Sequence, residues 1–156
     1  MARLLAAAPE LNLFAAAPDI ETDEYVVRHV TTHAMVGLQV KSTSVDSDHP
    51  FGYLATGRRG FHPAPSTWVL GLAELRGQGE FHDECLLLSS EDFARIASQS
   101  RDELFLPFHP GASHATHVDP FRLDRRQVAG RLGALLGTVG SLNIGAQRAS
   151  PRELDR

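Results

Sequence analysis

Short apolar runs separated by glycine, proline and polar clusters dominate the first two-thirds of the chain. "LNLF" (11–14) reads as a short strand. "EYVVRHV" (24–30) is rich in β-branched and aromatic residues, which favours a strand. "TTHA" turns the chain, and "MVGLQVKST" (35–43) forms a second strand, so residues 24–43 are expected to make an antiparallel hairpin. Residues 46–66 are punctuated by Pro50, Gly52, Gly57, Gly60, Pro63 and Pro65 and read as loop. "TWVLGLAEL" (67–75) is continuously apolar, as a strand covered on both faces should be. "DECLLL" (83–88) and "ELFLPF" (103–108) are further strands.

Two helices follow from capping chemistry. Ser89 or Ser90 caps one that runs through Ile96, with Glu91 and Asp92 in its first turn. Asp124 begins a capping-box spacing that opens another, ending at about Leu136 or Val139. A short Ala/Leu helix is expected over 2–8, stopping at Pro9. No internal repeat is visible. The pattern predicts an α/β (α+β) domain over 1–140, with a mixed central sheet flanked by helices, and a polar, disordered tail over 141–156.

Composition narrows the class. A chain of 156 residues, 42% hydrophobic and 22% charged, suits one globular domain. The net charge of −4 excludes a uniformly basic nucleic-acid glove, so phosphate contacts would need a local patch. The single cysteine, Cys85, can form neither an internal disulfide nor a cysteine zinc cluster, and beside Leu86–Leu88 it reads as a buried apolar residue. The N-terminal Leu/Ala run is broken by Pro9, Glu10 and Asn12, so no secretory signal is expected. With no long apolar span, the expected location is the cytoplasm.

Candidate chemistry gathers on the hairpin. Lys41 is the only lysine among 15 basic residues. Strand side chains alternate, so Leu38 and Val40 point into a core while Gln39 and Lys41 share the other face. Asp23 stands just before the first strand, and hairpin pairing brings it towards Gln39 and Lys41; Asp19, four residues earlier, is the alternative carboxylate. A carboxylate oxygen, the Gln39 amide oxygen and the Val40 carbonyl are hard donors suited to Mg²⁺. Lys41, a compact ammonium, suits positioning of water and stabilisation of charge developing on a phosphate. The competing explanation is a surface lysine that falls there by chance.

Asp23, an apolar strand, and then Gln39-Val40-Lys41 in "GLQVKSTS" together resemble the PD-(D/E)XK nuclease-like superfamily, in the restriction-endonuclease-type branch with glutamine in place of the glutamate of E-x-K. With "STWVLGLAEL", "CLLLSSEDF" and "DPFRLDRRQVAGRLGALL", the chain also resembles, over roughly residues 10–137, a group of uncharacterised bacterial domains at the edge of that superfamily. The resemblance implies a Mg²⁺-dependent endonuclease acting on DNA in bacterial defence or mobile elements, as a homodimer or within a larger complex. Asp23, Gln39 and Lys41 would be catalytic, and the metal donors would come from Asp23, Gln39, Val40 and Asp19. The expected N-terminal helix carries no acidic residue, Glu21-Thr22 precede Asp23 where a glycine is usual, and Gln39 removes a negative charge. These departures keep two alternatives open: an inactive nuclease-fold module that binds nucleic acid or a protein partner, and a small regulatory or immunity-type protein.

Other residues carry weaker signals. Arg122, Arg125 and Arg126, with Arg131 beyond them, are the local candidates for nucleic-acid backbone contacts, weighed against an ordinary solvated helix face. Arg58-Arg59 is a smaller version of the same idea. His109, His114, His117 and Asp119 offer metal donors at irregular spacing in a Gly/Pro loop. His29 and His33 flank the hairpin turn, and Trp68 and Phe51 read as core residues.

Overall fold

The computed structural model describes residues 8–15 and 24–148. Its chain order is β1 (Leu11–Ala15), β2 (Tyr25–His29), β3 (Met35–Val45), β4 (Gly52–Gly57), β5 (Thr67–Leu75), β6 (Glu80–Phe81), β7 (Glu84–Ser89), α1 (Ser90–Ile96), β8 (Ser98–Gln99), β9 (Glu103–Phe108), β10 (Arg122–Asp124) and α2 (Val128–Arg148). The main sheet has the order β1-β2-β3-β5-β7-β10, with β6 paired to β5; β4, β9 and β8 form a second, three-stranded sheet. All pairings are antiparallel except β3 with β5, so the main sheet is mixed, in agreement with the expected α+β class.

Alternation along the strands builds two cores, one on each face of the main sheet. Val36 and Leu38 of β3, Leu70 and Leu72 of β5, and Cys85 and Leu87 of β7 pack with Val128, Leu132 and Leu136 of α2. On the opposite face, Val45, Val69, Ala73, Leu86 and Leu88 pack with Leu54 of β4, Leu104, Leu106 and Phe108 of β9, and Phe93 of α1. Burying a Leu, Val or Phe side chain in such cores stabilises by roughly 1.5–3 kcal/mol each, which is why β5 and β7 tolerate apolar residues at consecutive positions.

The loop expected over 46–66 contains β4, whose inward residues fit against bare backbone. Leu54 is fully buried over Gly71, and Gly52 lies against Thr43 of β3. Tyr53, an outward residue of β4, and Phe51 just before the strand are exposed and meet edge to face with ring centroids 6.1 Å apart; Tyr53 meets Phe105 in the same way at 5.9 Å. Phe51 is therefore a surface residue and not the core residue its apolarity suggests. The strands expected at 67–75, 83–88 and 103–108 and the first capped helix are present, whereas β6, β8 and β10 have no counterpart in the sequence reading. Ser89 is the N-cap of α1 and accepts from the Asp92 amide at 3.0 Å, while the buried Ser90 hydroxyl ties the 46–66 segment down through Ala64.

Asp124 caps a single 3-10 turn (Arg125–Gln127) that leads into α2, and the helix continues to Arg148, past the expected end. The expected helix over 2–8 lies outside the described residues except for Ala8, which is not helical, and the end of the tail beyond Arg148 also lies outside them. Among the described residues no helix is long and apolar enough to cross a membrane.

A Cβ added at Gly52 would stand 1.9 Å from Thr43 Oγ1 and 2.9 Å from Thr43 Cβ, so β4 or β3 would have to shift. Gly52→Ala is expected to lower the unfolding free energy by about 1–3 kcal/mol, whereas Gly60→Ala, with open space around it, should change stability far less. Paired urea denaturation curves check this; equal midpoints for the two variants would contradict the close β3–β4 contact.

Candidate metal and phosphate site on the central hairpin

The β2–β3 register pairs Tyr25 with Leu38, which places Glu24, one residue before β2, at the level of Gln39. Lys41 Nζ lies 3.6 Å from Glu24 Oε1, with the two side chains 21% and 47% exposed. A pair this open to water contributes little to stability, so its interest lies in where it puts the two charges. Gln39 is buried, and its Oε1 has no hydrogen-bond partner among the described residues. A buried amide oxygen left without a donor costs roughly 1–3 kcal/mol. Gln39 and Lys41 share one face of β3, as alternation requires, while Val40 turns towards the helix-side core. Across the parallel pairing, Lys41 stands beside Gly71 and Gln39 beside Val69, so neither neighbour supplies a competing side-chain donor.

Asp19 and Asp23, the two candidate carboxylates, lie outside the described residues. Glu24 is the carboxylate that the described residues bring to Lys41. Its signal in the sequence was position alone: it directly precedes the strand, and only the pairing register shows that it reaches the end of β3.

The arginine cluster is elsewhere. β10 is separated from β3 by β5 and β7, about 14 Å at ~4.8 Å per strand. Arg122 is 13% exposed and is held by Glu84, by Asp119 at 2.9 Å and by the His109 carbonyl at 3.0 Å, with its guanidinium 5.7 Å above the Phe108 ring. This geometry makes it a tie between β7, β9 and the loop before β10. Arg125 and Arg126 each approach Asp83 at 3.4 Å, and Arg126 remains largely exposed.

The histidine loop is organised by the same tie. Asp119 accepts from the Thr116 hydroxyl at 2.6 Å and its amide at 2.9 Å, as well as from Arg122. His109 and His114 face each other edge-on with ring centroids 6.2 Å apart, and no group of three His, Cys, Asp or Glu side chains converges among the described residues. His29 Nδ1 accepts from the Thr32 amide at 3.2 Å, and His33 adopts a left-handed φ of 59° with its ring 2.7 Å from Arg28; both serve the hairpin turn. Cys85 is fully buried, and that burial pushes its thiol up to about 12.

No protein-family model matches the chain. No curated protein matches it either. Among solved structures, the chain is similar to Archaeoglobus fulgidus Hjc, a Holliday junction resolvase from an archaeal hyperthermophile, at a TM-score of 0.43 and 12% identity, over 83% of this chain and 96% of that one.

Removing the Arg122 guanidinium strips partners from Glu84, Asp119 and the His109 carbonyl together. Arg122→Ala is expected to destabilise by roughly 2–3 kcal/mol, and Arg122→Lys should recover less than half, because an ammonium cannot reproduce the planar fork. Thermal melts of both variants check this.

Acid sensitivity follows from the carboxylates. Asp119 is held below its ordinary 3.8 by the Thr116 hydroxyl and amide and by Arg122, and Asp92 by Arg95 and the Ser89 hydroxyl. A depressed folded-state value contributes stability that is present above the unfolded value and lost as pH falls through the folded one. Unfolding free energy should therefore be flat from pH 7 down to about 5 and fall below about pH 4. Asp119→Asn and Asp92→Asn should each flatten that fall; an unchanged acid limb in both would contradict the assignment.

Proposed function

We propose that the chain is a nuclease-like domain of the restriction-endonuclease type that uses the exposed end of the β2–β3 hairpin to act on DNA phosphodiesters with a divalent cation. The observation that carries this reading is the Gln39 amide oxygen: buried, without a hydrogen-bond donor among the described residues, and on the same face of β3 as the Lys41 ammonium. An oxygen that is costly to leave bare is well matched to a hard cation. Gln39 Oε1, the Val40 carbonyl and a carboxylate from Glu24, Asp23 or Asp19 form a donor set of the all-oxygen kind that Mg²⁺ prefers. When bound, such an ion supplies Lewis-acid polarisation of the phosphate and lowers the pKa of a bound water.

The chain's own groups supply the rest. Lys41 offers a point charge to the non-bridging oxygens of the phosphate and orients the attacking water through its N–H donors. Glu24 holds the ammonium in place through their 3.6 Å contact, so substrate binding exchanges one anionic partner of Lys41 for another. Arg126, largely exposed at the other edge of the sheet, is available to the DNA backbone in a way that Arg122 is not.

A second reading is an inactive module of the same fold that binds nucleic acid or a protein partner. It is favoured by one observation: Glu24 is the only described carboxylate at the hairpin site, and glutamine at position 39 lowers the charge available to a cation.

Wild-type protein is expected to nick plasmid or cleave oligonucleotides only with Mg²⁺ or Mn²⁺. Lys41→Ala and Asp23→Asn should each reduce the rate by on the order of 10²-fold or more, and Gln39→Glu should tighten Mn²⁺ binding measured by calorimetry. Cleavage that survives both of the first two substitutions, or an absence of cleavage by wild type, would remove the enzyme reading and leave the binding module.

A further inference from the structure

A groove of about 760 Å³ opens between α2, β10 and the end of β7, and Trp68, Leu87, Arg122, Arg126 and Arg131 are among its lining residues. Its lining draws on both cores, Trp68 and Leu87 from the α2 side and Leu88 and Phe121 from the opposite one. Glu24, Gln39 and Lys41 are not among its lining residues, so this groove is distinct from the hairpin site. Its volume falls within the roughly 300–1,000 Å³ typical of small-molecule sites.

Why the groove is open is legible in α2. Residues 130, 131 and 134 of α2 line it from one helix face, with Gln127 of the preceding 3-10 turn beside them. Two of them, Gly130 and Ala134, are exposed and too small to fill the space, and a Cβ added at Gly130 would meet nothing within 4 Å. Opposite them the floor is apolar and aromatic: Trp68, Phe121 and Leu123.

The polar groups of the lining are biased in sign. Asp92 is the one carboxylate, and it is already held by Arg95 and the Ser89 hydroxyl. Arg122 is balanced by Glu84 and Asp119. Arg126 is 76% exposed and reaches Asp83 only at 3.4 Å, while Arg131 is exposed and has no ion-pair or hydrogen-bond partner among the described residues. Two exposed guanidiniums, one loosely paired with Asp83 and one with no partner among the described residues, therefore share the lining with aromatic side chains, a combination complementary to a flat apolar ring that carries an oxyanion.

We propose that this groove binds a nucleotide, with the base against Trp68 and the phosphate between Arg126 and Arg131. The nucleotide is either free or the phosphorylated end of a strand. The groove shares Arg126 with the proposed DNA-backbone contact but no residue with the hairpin site itself, so it can be tested separately through Arg131 and Lys41.

Trp68 is the only tryptophan, so its emission reports on this groove directly. Wild-type protein is titrated with AMP, adenosine, inorganic phosphate and a 5′-phosphorylated trinucleotide, following Trp68 fluorescence and calorimetric heat. Saturable quenching by AMP is expected, with adenosine and phosphate each at least about tenfold weaker. Arg126→Ala and Arg131→Ala, both exposed positions, should each weaken AMP by on the order of tenfold, the value of one charge-assisted hydrogen bond, with unchanged melting temperatures. Lys41→Ala should bind AMP as wild type does. Tighter binding of the trinucleotide than of AMP would assign a strand end, and equal or weaker binding a free nucleotide. The proposal is overturned by no saturable binding of either nucleotide, by phosphate alone matching AMP, or by wild-type affinity in the double arginine variant.

Discussion

The parallel pairing of β3 with β5, from Gly37 with Thr67 to Val45 with Leu75, is the constraint on which the rest of the structure depends. Parallel neighbours cannot be joined by a tight turn, so the chain must leave the sheet and return. Here it leaves through residues 46–66, and instead of a helix it lays β4 over one face. That single choice creates the second core, with Leu54 seated on Gly71, and gives β9 a strand to pair with, β8 then adding to the far side of β9. It also commits β3 and β5 to burial on both faces.

The hairpin site is a consequence of that burial. A strand covered on both sides has no natural place for a glutamine or a lysine, yet β3 carries both on its β4-side face. Gln39 lies deep enough to lose water and Lys41 shallow enough to keep it. The amide oxygen thus has no donor among the described residues, while the ammonium reaches Glu24 at the mouth. The same sheet keeps the arginine cluster apart, because β5 and β7 intervene before β10. The two polar regions of the molecule are therefore separated along the sheet, with β5 and β7 between them.

Arginine identity alone said little about role. Arg122, Arg125, Arg126 and Arg131 look equivalent in the chain, but a buried tie between Glu84, Asp119 and Phe108 engages the first, Asp83 loosely occupies the next two, and the last is unengaged among the described residues. Aromatic residues divide in the same way. Phe93 and Phe108 are core, Phe51 and Tyr53 are surface, and Trp68 is the half-covered floor of a groove. Side-chain chemistry sets what a residue can do, and the packing around it decides whether it is free to do so.

Local pattern was sufficient for the elements whose signal is local. Continuous apolar residues marked β5, β-branched runs marked β2 and β3, and a serine cap marked α1, because periodicity and capping are properties of a few consecutive residues. β4 escaped because its outward positions, Tyr53, Ala55 and Gly57, are not polar and glycines bound it, and β10 because three residues carry no period. The pairing of Gln39 with Lys41 on one face was also legible, since alternation needs only the strand. What the sequence could not decide was register, crossover and neighbour. Glu24 at Lys41, the orphaned Gln39 oxygen, the committed Arg122 and the open groove beside Trp68 all arise from contacts between segments distant in sequence, whose energies depend on which surfaces meet and not on any one of them.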